Sequence, residues 1–264
     1  MPLPLFTVDA FTTKPFAGNP AGVCLLPSGE WPDALWMQHV AAEMNLSETA
    51  FVRPNVDGSF GLRWMTPKVE VDLCGHATLA SAHVLYETGR ATDTIRFESR
   101  SGTLKAAKID AGIELDFPLS EITKTDPPAG LLDALAVSAK VVAKTRFDYL
   151  LAVESAGVVR AAKPDFVRLK NAEARGVILT ARSDDPQFDF ISRFFAPSCG
   201  IDEDPVTGSA HCALAHFWGT RLNKSEMVGY QASARGGVVN VRIFHNRCFL
   251  SGRAVTVAAG ELRV

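Results

Sequence analysis

Residues 71–85 read VDLCGHATLASAHVL, and residues 208–218 read GSAHCALAHFW. Set against 75–85, GHATLASAHVL, the second stretch matches without gaps at Gly75/Gly208, Ala77/Ala210, Ala80/Ala213, Ala82/Ala215 and His83/His216. The agreement extends outward. Upstream, Arg63-Trp64-Met65-Thr66-Pro67 and Arg193-Phe194-Phe195-Ala196-Pro197 share the order Arg, aromatic, bulky, small, Pro. Downstream, Ser-Gly at 101–102 and Arg-Gly at 235–236 each open an alternating run. Three matches in the same order predict a duplicated fold with two similar lobes about a pseudo-twofold axis. Equivalent positions would then face a cleft between the lobes, where small-molecule sites are often found.

Around this repeat the chain has 264 residues, enough for two domains with their own cores. The expected division is 1–118 for the first lobe and 119–253 for the second, with the last strand, 254–264, crossing back to complete the first. A net charge of −2 gives no electrostatic reason to expect nucleic acid or an anionic membrane. No apolar run approaches the roughly 20 residues that span a bilayer. The start, MPLPLFTVDAF, reads directly as a strand, without the basic and apolar regions of a signal peptide. Five scattered cysteines, with no CxxC, fit a reduced cytoplasmic protein.

In order, strands are predicted at 3–11 and 21–26, then a helix from Pro32-Asp33 to Met44, and strands at 49–53 and 60–65. An acid-rich loop, 66–74, leads to the first repeat helix, stopped by Thr88-Gly89. A meander follows at 95–99, 103–109 and 113–117. The proline-rich 118–128 reads as a linker. The second half is expected to hold a short helix at 131–136, strands at 141–144, 149–153 and 158–161, and a helix at 164–174. A strand at 177–181 and the stretch 188–195 lead to a second acidic loop, 198–207, and then to the second repeat helix. Strands at 227–232, 238–244, 247–250 and 254–262 finish the chain. The class is α+β, with mainly antiparallel sheet in each lobe wrapped around an Ala-rich helix, since alanines let a sheet approach closely.

The candidate chemistry lies at the helix starts. Gly75 and Gly208 open helices whose first N–H groups and positive dipole end suit a carboxylate or phosphate; the same glycines would equally serve a plain loop-to-helix turn. His76 lies in the first turn, where the dipole is expected to depress its pKa and favour neutral imidazole. His83 and His216, further along, read as half-buried packing residues. Asp204, before Pro205, is either a turn starter or a group facing the His76 region across the cleft. Glu48 enters the apolar run Ala50-Phe51-Val52, where partial desolvation suits general acid–base work, although a solvated strand-edge Glu reads the same way. Cys74 could serve as a base activated by its helix N-terminus, but its counterpart is Thr207, so no two-thiol mechanism follows by symmetry. No metal is expected: there is no HExxH, no paired cysteines and no clustered ligand spacing.

Taken together, DAFT-x-x-PFAGNPAGV (9–23), NLSETAFV (45–52), CGHATLA (74–80) and EDPVTGSAHCAL (203–214) resemble the PhzF-like phenazine-biosynthesis family, of the diaminopimelate epimerase-like fold. That resemblance implies two alike lobes, each a β barrel around a central helix. It also implies a cofactor-independent isomerase that moves a proton on a small cyclic or amino-acid-like carboxylate, as in the isomerisation of trans-2,3-dihydro-3-hydroxyanthranilate. By motif position it makes Glu48, His76 and Asp204 catalytic. Gly75, Gly208 and Ser209 would hold the substrate carboxylate, with Ser47 and Asn19 also binding substrate. A homodimer is implied as well. Two other readings stand beside this one, a one-thiol racemase or epimerase using Cys74 and a non-catalytic binder of small carboxylates.

Overall fold

The computed structural model describes residues 2–263, which fall into two compact units. One runs up to Asp116 and resumes at Ser251; the other is Phe117–Leu250.

In the first unit, β1 (Leu3–Ala10) pairs antiparallel with β2 (Asn19–Leu25), and α1 (Ala34–Met44) carries the chain over to β3 (Glu48–Pro54), parallel to β2. A parallel pair with a helical crossover is covered on both faces, so its strands read as apolar runs instead of alternating. Cys24, Leu26, Phe51 and Met65 accordingly pack on Met37, Val40 and Ala41 of α1. Asp33 starts this helix by accepting from the N–H groups of Leu35 and Trp36, and Asn45 ends it in the left-handed region at φ 49°. Between β1 and β2 the loop closes through Gly18, at φ +66°, where a Cβ would stand 2.1 Å from the Ala10 carbonyl oxygen. That turn delivers Asn19 to the start of β2.

β4 (Phe60–Met65) is antiparallel to β3, and the first acidic loop contains a short strand, β5 (Glu70–Val71). Next comes α2 (Gly75–Glu87), followed by β6 (Ile95–Ser99), β7 (Gly102–Ile109) and β8 (Gly112–Pro118) as the expected meander. The residues from His76 to Ala82, with Val84 and Leu85, are all buried. A helix enclosed on nearly every side lacks a polar face, and its small side chains let β1, β2 and β3 approach. Arg90 N–H returns to the Leu85 carbonyl (2.9 Å) across Gly89 at φ 66°, the predicted stop.

The second unit repeats this plan. The stretch expected as a linker contains β9 (Thr123–Lys124), which pairs with β10 (Val141–Lys144) after the short helix α3 (Leu131–Leu135). β11 (Asp148–Ala152) and β12 (Gly176–Arg182) form a parallel pair, as β2 and β3 do. Their crossover contains two short helices, α4 (Ala156–Ala161) and α5 (Phe166–Asn171). The strand expected at 158–161 is thus a helix. Ser155 accepts from Val158 N–H at its start, and the apolar Val159 faces the crossover core with Ala156, Leu169 and Phe195. Four residues of apolar pattern could not distinguish the two.

β13 (Phe190–Ala196), a 3-10 turn at Pro197–Cys199 and β14 (Ile201–Asp204) occupy the second acidic stretch. They lead to α6 (Gly208–Leu222), then β15 (Glu226–Gln231), β16 (Gly237–Phe244) and β17 (Arg247–Gly252). Phe190 stacks on Trp218 of α6 (6.3 Å, 3°), and Trp218 Nε1 donates to Thr180 Oγ1 at 3.0 Å. Finally, β18 (Ala254–Leu262) runs antiparallel to β1 along its whole length, so the sheet is mixed: β4–β6 and β13–β15 are also parallel pairs. No helix among the described residues is long and apolar enough to cross a membrane.

The repeat extends to the side chains. Arg63 forms two parallel hydrogen bonds to Glu70 (2.7 and 2.7 Å), and its equivalent Arg193 forms two to Glu203 (2.7 and 2.8 Å). Thr78 Oγ1 donates to the Cys74 carbonyl (2.5 Å), and its equivalent His211 places Nδ1 2.8 Å from the Thr207 carbonyl. The arginine shared by the two upstream motifs therefore clamps each acidic stretch to the strand before its central helix.

Candidate functional site

Three elements of the first unit converge on His76. It is the second residue of α2, it is 4% exposed, and its backbone position is fixed by the loop-to-helix turn at Gly75. β3 brings Glu48, its first residue, so that Oε2 stands 3.2 Å from His76 Nε2. β2 brings Asn19, which is wholly buried, with Nδ2 3.1 Å from His76 Nδ1. The N-cap of the helix itself, Cys74, places Sγ 3.4 Å from Nδ1 and 4.0 Å from Nε2. Ser47 Oγ donates to Asn19 Oδ1 at 3.5 Å, so the segment 47–48 reaches both ring nitrogens, one directly and one through Asn19.

Glu48 Oε2 is buried, and beyond His76 Nε2 at 3.2 Å no hydrogen-bonding partner faces it among the described residues. The pair is held mainly by Coulomb attraction, and a carboxylate oxygen can accept from a second group. Such clusters concentrate at functional sites.

Charge at the cluster differs from the sequence expectation. Burial opposes the imidazolium, yet negative charge close by, on the Cys74 sulfur when it is ionised and on the Glu48 carboxylate, outweighs it and holds the His76 pKa well above the ordinary range. The expected depression by the helix dipole is overturned. A partial charge at a helix end is weaker than a full carboxylate 3.2 Å away. Burial, assisted by the negative charge of Glu48, pushes the Cys74 thiol up to about 11. Near neutral pH Cys74 is thus a thiol, and Glu48 is the neighbour that favours a proton on the ring. The expectation of a thiol activated by the helix N-terminus fails for a different reason: desolvation exceeds what the dipole supplies.

In the second unit, Asp204 ends β14 and accepts a hydrogen bond from Thr207 Oγ1. Gln231 braces this turn, donating to the Asp204 carbonyl (2.6 Å) and accepting from Thr207 N–H (2.9 Å). Ser233 Oγ adds a bond to the Pro205 carbonyl at 2.9 Å. Gly208 begins α6 and Ser209, next to it, is exposed. Neither Cys74 nor Thr207 caps its helix through its side chain, so the first-turn N–H groups of both helices have no side-chain cap. His216 Nδ1 lies 3.1 Å from the Ser120 carbonyl, and His83 Nε2 lies 3.2 Å from Thr256 Oγ1, which are packing roles.

Among the predicted residues, Glu48, His76, Asn19, Ser47 and Cys74 come together. Two features were missed from sequence. Asn19 is in direct contact with the imidazole, although the motif pointed only to substrate binding. Gln231 lies 24 residues beyond Thr207 on β15, and no local pattern marks it.

Known proteins resemble this chain over nearly its whole length. The profile described as phenazine biosynthesis-like protein (PhzC-PhzF) matches residues 8–260. A relative from Halalkalibacterium halodurans, named an uncharacterized isomerase, is 50% identical and covers 99% of each chain. The crystal structure of a phenazine biosynthesis protein of the PhzF family from Enterococcus faecalis is 40% identical, covers 100% of each chain and superposes with a TM-score of 0.94. A probable proline racemase from Agrobacterium radiobacter, 11% identical, shares the fold at a TM-score of 0.67 over 99% of this chain and 93% of its own. With the duplicated helices, the clamped acidic stretches and the Glu48–His76 contact already in place, these matches show that the chain belongs to the PhzF family of phenazine biosynthesis-like proteins.

Proposed function

We propose that the protein is a cofactor-independent isomerase that removes a proton from a carbon of a small cyclic or amino-acid-like carboxylate and returns it at another position. The observation that carries this reading is the Glu48–His76 pair, in which a carboxylate oxygen lies 3.2 Å from the Nε2 of a buried imidazole whose pKa is held above the ordinary range. Glu48 takes and returns the substrate proton. His76, oriented by Asn19, stabilises the ionised carboxylate and accepts or relays the proton. Asp204 and Ser209 enter through the family resemblance, as orienting and carboxylate-binding groups, with the first-turn N–H groups at Gly75 and Gly208. Relatives named isomerases support the reaction class. The raised thiol of Cys74 weighs against the one-thiol alternative. The same reading includes a homodimer, from the resemblance, and a reducing cytoplasm, consistent with the free cysteines.

The test is solvent-deuterium incorporation, followed by NMR, into a panel of cyclic and amino carboxylates that includes dihydro-hydroxyanthranilate. Incorporation is expected for at least one substrate and should fall by about 10²–10⁴ in Glu48→Gln, the usual contribution of a general acid–base. A substrate turned over equally well by Glu48→Gln refutes the assignment.

A further inference from the structure

The family resemblance makes Asn19 a substrate ligand, yet the residue is wholly buried and turned toward His76, with Nδ2 3.1 Å from Nδ1. We propose that Asn19 is instead a positioning residue of this site: it keeps the proton of the neutral His76 ring on Nε2, the nitrogen that faces Glu48. The proposal deepens the isomerase reading and rests on it for the use to which the ring is put.

Which nitrogen of a neutral imidazole carries the proton is set by the hydrogen bonds the ring makes, and three groups lead to the same tautomer from different sides. Glu48, at the start of β3, places Oε2 3.2 Å from Nε2. An ionised carboxylate only accepts, so a neutral ring fits beside it with N–H at Nε2. The opposite tautomer would set a lone pair against a negative oxygen in a buried site, where solvent screens little. Asn19, at the start of β2, offers Nδ1 an amide NH2, which only donates. Cys74, just before α2, is a thiol near neutral pH and stands 3.4 Å from the same nitrogen, a second and weaker donor. Both require a bare Nδ1. Turned end for end, the Asn19 amide would set its oxygen against that bare nitrogen, acceptor against acceptor. Ser47 faces the other end of the amide, with Oγ 3.5 Å from Oδ1. In this tautomer Nε2–H points at Glu48 and favours its ionised form, the state a general base needs. A second proton, taken from solvent, would bond to Nδ1 and meet the donors there. Asn19 would then have to turn its oxygen to the ring and its NH2 to Ser47, whose hydroxyl accepts as well as donates. The charge of the ring and the orientation of the amide therefore change together.

The tautomer is read in the resting protein, without turnover, so its failure and that of the isomerase reading are distinguishable. Two-bond proton–nitrogen NMR of the full-length ¹⁵N-labelled protein shows which ring nitrogen carries the proton, and His76→Gln identifies the signal. The deciding spectrum is that of Glu48→Gln at mildly alkaline pH, where the ring is neutral. A Gln amide suits either tautomer, so the choice there falls to Asn19, and the proton is expected on Nε2. Asn19→Asp in the same background presents an acceptor to Nδ1 and is expected to move the proton to that nitrogen. Circular dichroism verifies folding, and the Glu48→Gln spectrum decides by itself if the double variant does not fold. A proton on Nδ1 or shared between the nitrogens in Glu48→Gln, or one that stays on Nε2 in the folded double variant, overturns the proposal.

Discussion

His211 offers a quantitative test of how the second central helix is buried. Its ring is wholly inside, Nδ1 lies 2.8 Å from the Thr207 carbonyl, and Nε2 has no hydrogen-bonding partner. Phe190 stands beside it with ring centroids 6.0 Å apart. Burial therefore depresses its pKa from 6.5 to about 4, against a smaller opposing effect of the Thr207 carbonyl. The unfolded chain binds this proton more readily than the folded one. The associated stability is complete above the unfolded pKa and is lost as pH falls from about 6.5 toward about 4. The whole difference is worth on the order of 3 kcal/mol, and about 2 kcal/mol of it disappears between about pH 7 and about pH 5. His76 works in the opposite sense. Its raised pKa contributes stability that is complete below the unfolded pKa and is lost as pH rises through the folded one. The raw wild-type profile mixes the two, so the comparison must be with His211→Gln, whose amide can still donate to Thr207 and does not titrate. Urea unfolding at both pH values is expected to show the wild type losing about 2 kcal/mol more than His211→Gln on acidification. Equal losses would refute the buried, neutral assignment of His211.

Two other predictions follow from the repeat and from the thiols. Arg193→Ala should destabilise the protein by about 3 kcal/mol, because it strands the half-buried Glu203 and leaves the Ala162 carbonyl without its 2.7 Å donor. Arg63→Ala should cost only about 1–2 kcal/mol, since Arg100 remains 2.9 Å from Glu70; unfolding curves that rank them the other way contradict the clamp. Under native conditions near neutral pH, an alkylating reagent followed by mass spectrometry should modify the exposed Cys199 first. Cys74, with a pKa of about 11, and Cys24, about 12, should remain unmodified. Alkylation of Cys74 as fast as that of Cys199 would show that it is an activated thiolate.

Much of this protein is local and therefore legible in sequence. The two central helices, their glycine starts, the β-meanders and the duplication are carried by residue identities at fixed spacing, and periodicity, turn chemistry and small side chains determine them. The family motifs likewise singled out Glu48, His76, Asn19 and Ser47. Short segments were less legible. Residues 156–161 are too few to separate a helix from a strand, and β9 forms because β10 offers it a partner, not because Thr123-Lys124 has strand character. The electrostatics of the site were beyond the sequence altogether. Whether His76 loses or gains proton affinity depends on how near Glu48 and Cys74 come, and parallel pairing of β2 with β3 sets the position of Glu48, which lies 28 positions before His76 in the chain. The sequence by itself determined which chemical groups the protein carries and that its fold is doubled. Only tertiary structure decided which groups touch, and through desolvation and Coulomb energy at a few ångströms, which of them hold a proton.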